Sequence, residues 1–127
     1  MIQTQEVLAL HEILIERFGG SYGVRDHEML ESALSRPFQT FDGAALYPTV
    51  YDKVAAFIES LLTNHPFVDG NKRTGYGLLR IYLGINNYEI TAPIENRYDF
   101  VIAVATGQWK FDQILTWVET NTRKSGT

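Results

Sequence analysis

The sequence predicts an all-α protein, a bundle of about six helices with one small hairpin or loop before the third helix. Apolar residues recur at the spacing of a helix face over most of the chain. Glycines, prolines and capping residues divide this pattern into six segments. The exception is residues 37–48, where aromatic residues alternate around an Asp-Gly pair, which favours a hairpin or loop.

The first helix is expected to begin at a cap formed by Thr4 and to end at the glycine pair 19–20. Its apolar stripe consists of Val7, Leu10, Leu14 and Phe18. Asp26 is suited to cap a short second helix. That helix ends at Pro37, because proline disfavours helical geometry in the residue before it.

The third and fourth helices enclose the most polar junction of the chain. The third is expected to begin near Pro48 and to end before Pro66. Its apolar stripe consists of Val50, Val54, Phe57, Ile58 and Leu61. The fourth runs from about Asn71 to the segment GINNY, and the following YEITAP suggests a short extended piece.

The last two helices complete the bundle. The fifth, residues 98–107, is apolar on most faces, which indicates a central and buried position. The sixth, residues 111–122, is amphipathic. The remaining residues are expected to fray.

Composition limits the classes of function. A length of 127 residues predicts one domain spanning 1–127. The net charge of −4 provides no overall basic field, so direct binding to nucleic acid is not expected. The absence of cysteine excludes disulfides and thiol catalysis, and fits a reducing, cytoplasmic location. Neither a signal peptide nor a membrane-spanning run is expected.

The stretch HPFVDGNKRTG, residues 65–75, concentrates polar side chains between the third and fourth helices. A helix N-terminus offers unpaired N–H groups and the positive end of the helix dipole. Gly70 lets a ligand approach the backbone closely, and Asn71 adds a donor. Lys72 and Arg73 are unfavourable at this end unless an anion lies between them, and the simplest such anion is a phosphate.

Two further residues at this junction, Asp69 and His65, are suited to metal binding and to proton transfer. Asp69 is suited to hold a Mg²⁺ that bridges phosphate oxygens. His65 is placed to take a proton from an attacking hydroxyl, a role worth about 10² to 10⁴ in rate. Together they predict phosphoryl or nucleotidyl transfer. The residues alone leave a second interpretation open, in which Asp69, Gly70 and Asn71 form an ordinary turn and His65 pairs with carbonyls at a helix end.

The segment HPFVDGNKR resembles the signature of the Fic/Doc family, His-Pro-Phe-x-(Asp/Glu)-Gly-Asn-Gly-Arg-x-x-Arg. It is most similar to the death-on-curing (Doc) branch of toxins, which carries Asn-Lys-Arg. The resemblance implies a Fic-fold helical bundle, with His65 as the general base, Phe67 packed into the core and Asp69 as the Mg²⁺ ligand. It also implies an anion-binding nest formed by Gly70, Asn71 and Arg73.

The resemblance extends to the segment before the third helix. The region from Phe38 to Tyr47 resembles the family's flap, which docks a target peptide by strand addition. The flap residues implied in docking are Phe38, Thr40, Phe41, Asp42 and Tyr47.

Two departures from the signature bear on the chemistry. Lys72 stands where AMP-transferring members have glycine, and Tyr76 stands where they have a second arginine. The resemblance therefore implies a toxin of a type II toxin–antitoxin system that uses ATP and Mg²⁺ to phosphorylate a serine or threonine hydroxyl. The implied target is a translation factor, elongation factor Tu, and the implied partner is a separate antitoxin. AMP transfer and a catalytically inactive antitoxin-binding module remain alternatives.

Four other residues carry expectations that the structure can address. His11 lies at the edge of the first apolar stripe, where a partly buried, hydrogen-bonded histidine is expected. Arg80 shares a helix face with Arg73 roughly 10 Å further on, where an ion pair is favoured over a nucleotide contact. Gly75 and Gly77 each cost a helix about 1 kcal/mol relative to alanine, so a helix or a ligand is expected to pack closely there.

Overall fold

Six α-helices make up most of the fold in the computed structural model, which describes residues 2–126. They are α1 (Thr4–Phe18), α2 (His27–Ser35), α3 (Val50–Asn64), α4 (Asn71–Ile85), α5 (Ile94–Ala105) and α6 (Phe111–Thr120). The predicted all-α class is confirmed. None of the helices in residues 2–126 combines the length and apolar character that crossing a bilayer requires.

Short antiparallel strands and one 3₁₀ turn connect these helices. The turn, Arg36–Phe38, follows α2. Strands β1 (Thr40–Phe41) and β2 (Ala44–Ala45) form the predicted hairpin before α3. Strands β3 (Tyr88–Ile90) and β4 (Thr122–Lys124) pair with each other. The prediction of a frayed tail is therefore wrong as far as Lys124, because β4 finds its partner far away in sequence.

The centre of the bundle is α3, not α5 as predicted. Residues Val54 to Ile58 of α3 are all fully buried, and α3 packs against α2, α4, α5 and α6. Ala55 and Ala56 are small, so neighbouring helices can approach α3 on several sides. In α5, by contrast, Tyr98 is 66% exposed, so this helix covers the core from one side.

Helix packing explains one of the glycines predicted to mark a close approach in α4, Gly75. A Cβ on Gly75 would lie 2.6 Å from Cδ2 of Leu62, so α4 could not approach α3 this closely with any larger residue. A Cβ on Gly77 would make an ordinary contact with Leu10 of α1, at 3.4 Å. The close partner predicted at Gly75 is therefore another helix, whereas at Gly77 the neighbouring helix leaves room for a methyl group.

The helix caps agree in part with the sequence. Asp26 caps α2 as predicted, since its carboxylate accepts a hydrogen bond from the amide of Met29 at 3.1 Å. Gln3, and not Thr4, is the N-cap of α1, and the Thr4 hydroxyl donates to Glu31 Oε1 at 2.8 Å instead. Phe18, predicted in the apolar stripe, is 58% exposed because the last turn of α1 extends past the core.

Candidate functional site

The motif residues form a loop that joins the C-terminus of α3 to the N-terminus of α4. His65 is the C-cap of α3, and its side chain is exposed. Its φ of 47° lies in the left-handed region, which is uncommon for a residue with a side chain. Gly70 is the N-cap of α4 with a φ of 76°, a conformation that glycine adopts without a steric penalty.

Phe67 fixes the middle of this loop. Its side chain is 1% exposed, as the resemblance implied. The amide of Phe67 donates to Asn71 Oδ1 at 2.9 Å, and Asn71 Nδ2 donates to the carbonyl of Phe67 at 3.0 Å. The Asn71 side chain therefore holds the loop, and its backbone N–H remains available at the first turn of α4. The side chain therefore supports the loop, whereas the sequence predicts it as a donor to the ligand.

His11 of α1 supports the loop from the core side. Its ring stacks on Phe67 with centroids 4.0 Å apart, and Nε2 lies 2.8 Å from the carbonyl oxygen of Asp69. Because a carbonyl can only accept, Nε2 carries the proton of this bond. His11 is 3% exposed, so the predicted hydrogen-bonded histidine is confirmed and is more deeply buried than expected.

Asp69 presents an anchored carboxylate at the surface. Oδ2 accepts from the amide of Ser21 at 3.0 Å, and Oδ1 accepts from the amide of Gly70 at 2.8 Å. These two hydrogen bonds lower the pKa of Asp69, because they favour the charged form. A Cβ on Gly20 would lie 2.8 Å from Oδ2, so only glycine leaves room for the carboxylate there.

The connection between α1 and α2, residues 19–26, runs alongside the loop. The amide of Val68 donates to the carbonyl of Gly23 at 3.0 Å, and Val24 and Phe67 form an antiparallel bridge. With the Ser21 contact to Asp69, this α1–α2 connection supports the loop along most of its length. No sequence pattern predicts this support, because isolated backbone pairing leaves no periodicity.

The cations of α4 stand beside two cavities. Lys72 and Arg73 are exposed in the first turn, and the Arg73 guanidinium lies over the ring of Phe18, with Cζ 4.6 Å from its centre. One cavity, of about 520 Å³, is lined by Leu14, Phe18, Arg73, Tyr76, Gly77, Arg80 and Ile81. The other, of about 460 Å³, is lined by Lys72, Arg73, Tyr76, Ile94, Arg97, Tyr98, Val101 and Ile102.

The arginines around these cavities differ in their partners. Arg97 Nη1 donates to the hydroxyl of Tyr76 at 3.1 Å, and Nε donates to the carbonyl of Ala92 at 2.7 Å. Arg97 is thus fixed in place. Arg80 makes no ion pair within residues 2–126, contrary to the expectation, and its side chain remains at the first cavity.

The flap is an exposed hairpin anchored at one end. Asp42 and Gly43 have φ values of 52° and 80°, typical of the two-residue turn of a hairpin, and Phe41 is 74% exposed. The hydroxyl of Tyr47 accepts from Arg36 Nε at 3.1 Å, and its carbonyl accepts from Lys53 of α3. Arg36 also pairs with Glu59 of α3 at 2.8 Å, so the flap's C-terminal end is held against the central helix.

The predicted residues therefore fall into two groups. His65, Asp69, Gly70, Lys72 and Arg73 come together around the loop and the first turn of α4. The flap leads into the N-terminus of α3, whereas the loop follows its C-terminus. The 15 residues of α3 span roughly 22 Å. Among the described residues, those of the flap make their hydrogen bonds within the flap, to Arg36 and to α3, not to the loop.

A comparison with known proteins gives a family match and two similar relatives. The model of the Fic/DOC family matches residues 1–83. A protein named Toxin Doc, from Mycolicibacterium smegmatis, is 39% identical over 99 residues, which cover 76% of each chain. A protein named Protein kinase doc, from Escherichia phage P1, is 27% identical over 107 residues, which cover 84% of this chain and 83% of that protein.

Proposed function

Because this chain belongs to the Fic/Doc family, we propose that it is the toxin of a type II toxin–antitoxin system and acts as a protein kinase. It transfers the γ-phosphate of ATP to a serine or threonine hydroxyl of a translation factor, with elongation factor Tu as the expected target. The observation that carries this proposal is the loop itself, where an exposed histidine and an anchored carboxylate stand beside a cationic helix N-terminus.

His65 has the position that a general base needs. Its imidazole is exposed at the loop, so an incoming hydroxyl can reach it without displacing other residues. In the proposed step the hydroxyl oxygen forms a bond to the γ-phosphorus while the bond from that phosphorus to the β–γ bridging oxygen breaks. ADP leaves with that oxygen, and His65 takes the hydroxyl proton.

The first turn of α4 has the features of a phosphate-binding element. The amides of Asn71, Lys72 and Arg73 lie where a helix offers them no carbonyl partner. Gly70 keeps this end free of a side chain, and the helix dipole favours an anion there. The side chains of Lys72 and Arg73 add positive charge on either side, which suits the oxygens of a phosphoryl group in transfer.

Asp69 fits the Mg²⁺ that this chemistry implies. Within the described residues there is no cluster of three acidic or histidine side chains that would hold a metal alone. Magnesium is commonly held by one or two carboxylates together with substrate phosphates and water, and Asp69 offers one exposed carboxylate that remains ionised. When bound, the ion would neutralise charge on the phosphate oxygens.

Lys72 supports transfer of phosphate over transfer of AMP. A glycine at this position would leave room for the α-phosphate of a nucleotide beside the base. The side chain of Lys72 is long, exposed and charged, and in this proposal it takes that room, which favours the terminal end of the triphosphate. AMP transfer remains the alternative, because the same helix N-terminus is suited to bind either phosphate.

The decisive experiment uses ATP labelled at either the α- or the γ-phosphate. The purified protein is incubated with elongation factor Tu and Mg²⁺, with the His65→Ala variant as the matched control. Label is expected to reach the target from the γ position alone, with a mass gain of one phosphoryl group. Transfer from the α position would establish AMP transfer instead, and no transfer from either label would favour an inactive antitoxin-binding module.

The cellular setting is part of the same proposal. One relative carries the name Toxin Doc, which supports a role as a toxin held in check by a separate antitoxin protein. We place this activity in the cytoplasm, where ATP and translation factors occur. Co-expression with the product of a small neighbouring gene tests the partner, since a true antitoxin relieves growth arrest and co-purifies with this chain.

A further inference from the structure

Arg25, in the α1–α2 connection, lies across the end of α3 at which His65 stands. Its Nε donates to the carbonyl of His65 at 2.8 Å, and its Nη2 donates to the carbonyl of Asn64 at 2.6 Å. The last carbonyls of a helix have no amide partner within that helix. A single guanidinium therefore satisfies two of them with its forked donors, which suit two neighbouring oxygens.

The backbone amides of residues 25 and 26 also donate hydrogen bonds to the loop. The amide of Arg25 donates to the carbonyl of Pro66 at 2.7 Å, and the amide of Asp26 donates to it at 3.1 Å. Three consecutive carbonyls, from Asn64 to Pro66, therefore accept hydrogen bonds from residues 25 and 26. His65 lies in the middle of this run, so its peptide group is held from the side of the α1–α2 connection.

This contact bears on the unusual backbone of His65. A left-handed conformation in a residue with a side chain persists only where the surrounding structure over-determines it. The φ of 47° at His65 decides in which direction the imidazole leaves the loop. The bond from Arg25 Nε to the His65 carbonyl is a charge-assisted contact to this residue itself, and such contacts are the stronger class of hydrogen bond.

We propose that Arg25 is a positioning residue for His65: it holds the last turn of α3 and the His65 peptide so that the imidazole faces the incoming hydroxyl. This inference rests on the proposed function for the role of His65. Its geometric part, that Arg25 sets the conformation of His65, can be tested without any reaction.

Arg25 lies where its side chain can be removed with little expected effect on folding, so an effect on the position of His65 can be recognised. The Arg25 side chain is exposed, so truncating it leaves no cavity in the core. The rest of the loop has its own anchors in the buried Phe67, the side chain of Asn71 and the ring of His11. Loss of Arg25 is therefore expected to release His65 while the loop from Phe67 onward stays in place.

The kinetic test compares three variants of the full-length protein. In Arg25→Ala, kcat for transfer is expected to fall roughly 10- to 100-fold, because misplacing a reacting group by about 1 Å has effects of this size. The KM for ATP is expected to stay within about twofold, because the phosphate-binding turn of α4 keeps its own anchors. Arg25→Lys is expected to recover part of kcat, because an ammonium can reach one carbonyl but cannot span both.

The matched control is Arg123→Ala. Arg123 is likewise an exposed arginine with a partner, Glu89 at 2.7 Å, but it lies on β4 and contacts neither the loop nor α3 through hydrogen bonds. Its kcat and KM are expected to match those of the unaltered protein. Equal losses of kcat in Arg25→Ala and Arg123→Ala would overturn the positioning role.

A second readout separates this inference from the proposed function. In Arg25→Ala the NMR signals of the His65 imidazole and amide are expected to shift, while those of Phe67 and Asn71 stay within the range seen for Arg123→Ala. Unchanged His65 signals overturn the inference, as does an unchanged kcat in a variant whose only defect is a lower Tm. If His65→Ala retains transfer, the proposed role of His65 fails, and the NMR result alone decides whether Arg25 positions it.

Discussion

Replacing Gly75 by alanine tests how closely α3 and α4 pack behind the site. The new methyl group would lie 2.6 Å from Cδ2 and 3.2 Å from Cγ of Leu62, which is fully buried. Overpacking of this kind typically costs about 1–3 kcal/mol. The change from glycine to alanine inside a helix returns about 1 kcal/mol, so the free energy of unfolding is expected to fall by up to about 2 kcal/mol.

Gly84 provides the matched control on the same helix. A Cβ there would meet nothing within 4 Å, and its φ carries no left-handed penalty. Gly84→Ala should therefore gain up to about 1 kcal/mol, from helix propensity and from the lower entropy of the unfolded chain.

Urea denaturation followed by circular dichroism measures both variants, read as midpoints at unchanged slope. The two midpoints are expected to move in opposite directions from that of the unaltered protein. A Gly75→Ala variant as stable as Gly84→Ala would refute the reasoning, because it would mean that Leu62 and α3 adjust to the methyl group without cost. Transfer kinetics of Gly75→Ala would then show whether such an adjustment reaches the first turn of α4.

Five further predictions concern the site and the flap. His65→Ala is expected to abolish transfer and growth arrest while the circular dichroism spectrum stays unchanged; growth arrest by the folded variant would remove His65 from the mechanism. Asp69→Asn is expected to need a higher Mg²⁺ concentration for half-maximal transfer, and an identical magnesium titration would leave Asp69 a structural role only. The lowered pKa of Asp69 predicts how the stability of the protein depends on pH. The contribution of the ionised Asp69 to the free energy of unfolding is fully present above the ordinary pKa of an aspartate and is lost as the pH falls through the lowered value. A ¹³C titration of the carboxyl can follow this protonation. Phe41→Ala, at a side chain that is 74% exposed, is expected to raise the KM for the protein target without changing the KM for ATP or the stability, and an unchanged target KM would exclude Phe41 from docking. Lys72→Gly is expected to raise transfer from α-labelled relative to γ-labelled ATP, and an unchanged ratio would mean that Lys72 does not set the orientation of the nucleotide.

Features that depend on neighbouring residues only could be predicted from the sequence. Asp26 was predicted to cap α2, and the pair Asp42 and Gly43 to form a turn, because each depends on the preferences of neighbouring residues only. The fold class followed from helical periodicity in the same way. The identity of the central helix did not, because α5 is rich in apolar residues while the small Ala55 and Ala56 allow neighbouring helices to approach α3 on several sides.

The supports of the site were the least predictable part. The sequence predicts His11 at the edge of the apolar stripe of α1, partly buried and hydrogen-bonded, but does not predict its bond to the carbonyl of Asp69. The contacts of Ser21 and Arg25 join residues 48 and 40 positions apart in the chain, without any periodic pattern. Such contacts depend on how α1, α2 and α3 pack together, and a single sequence does not contain that information directly.

The order of these supports along the chain has a consequence for how the protein is made. His11 and the α1–α2 connection both precede the loop that they hold, so the growing chain already contains them when His65 to Asp69 leave the ribosome. The central helix, in contrast, packs against α6, which follows the loop in the chain. During synthesis the loop can therefore find its partners before α6 covers the central helix.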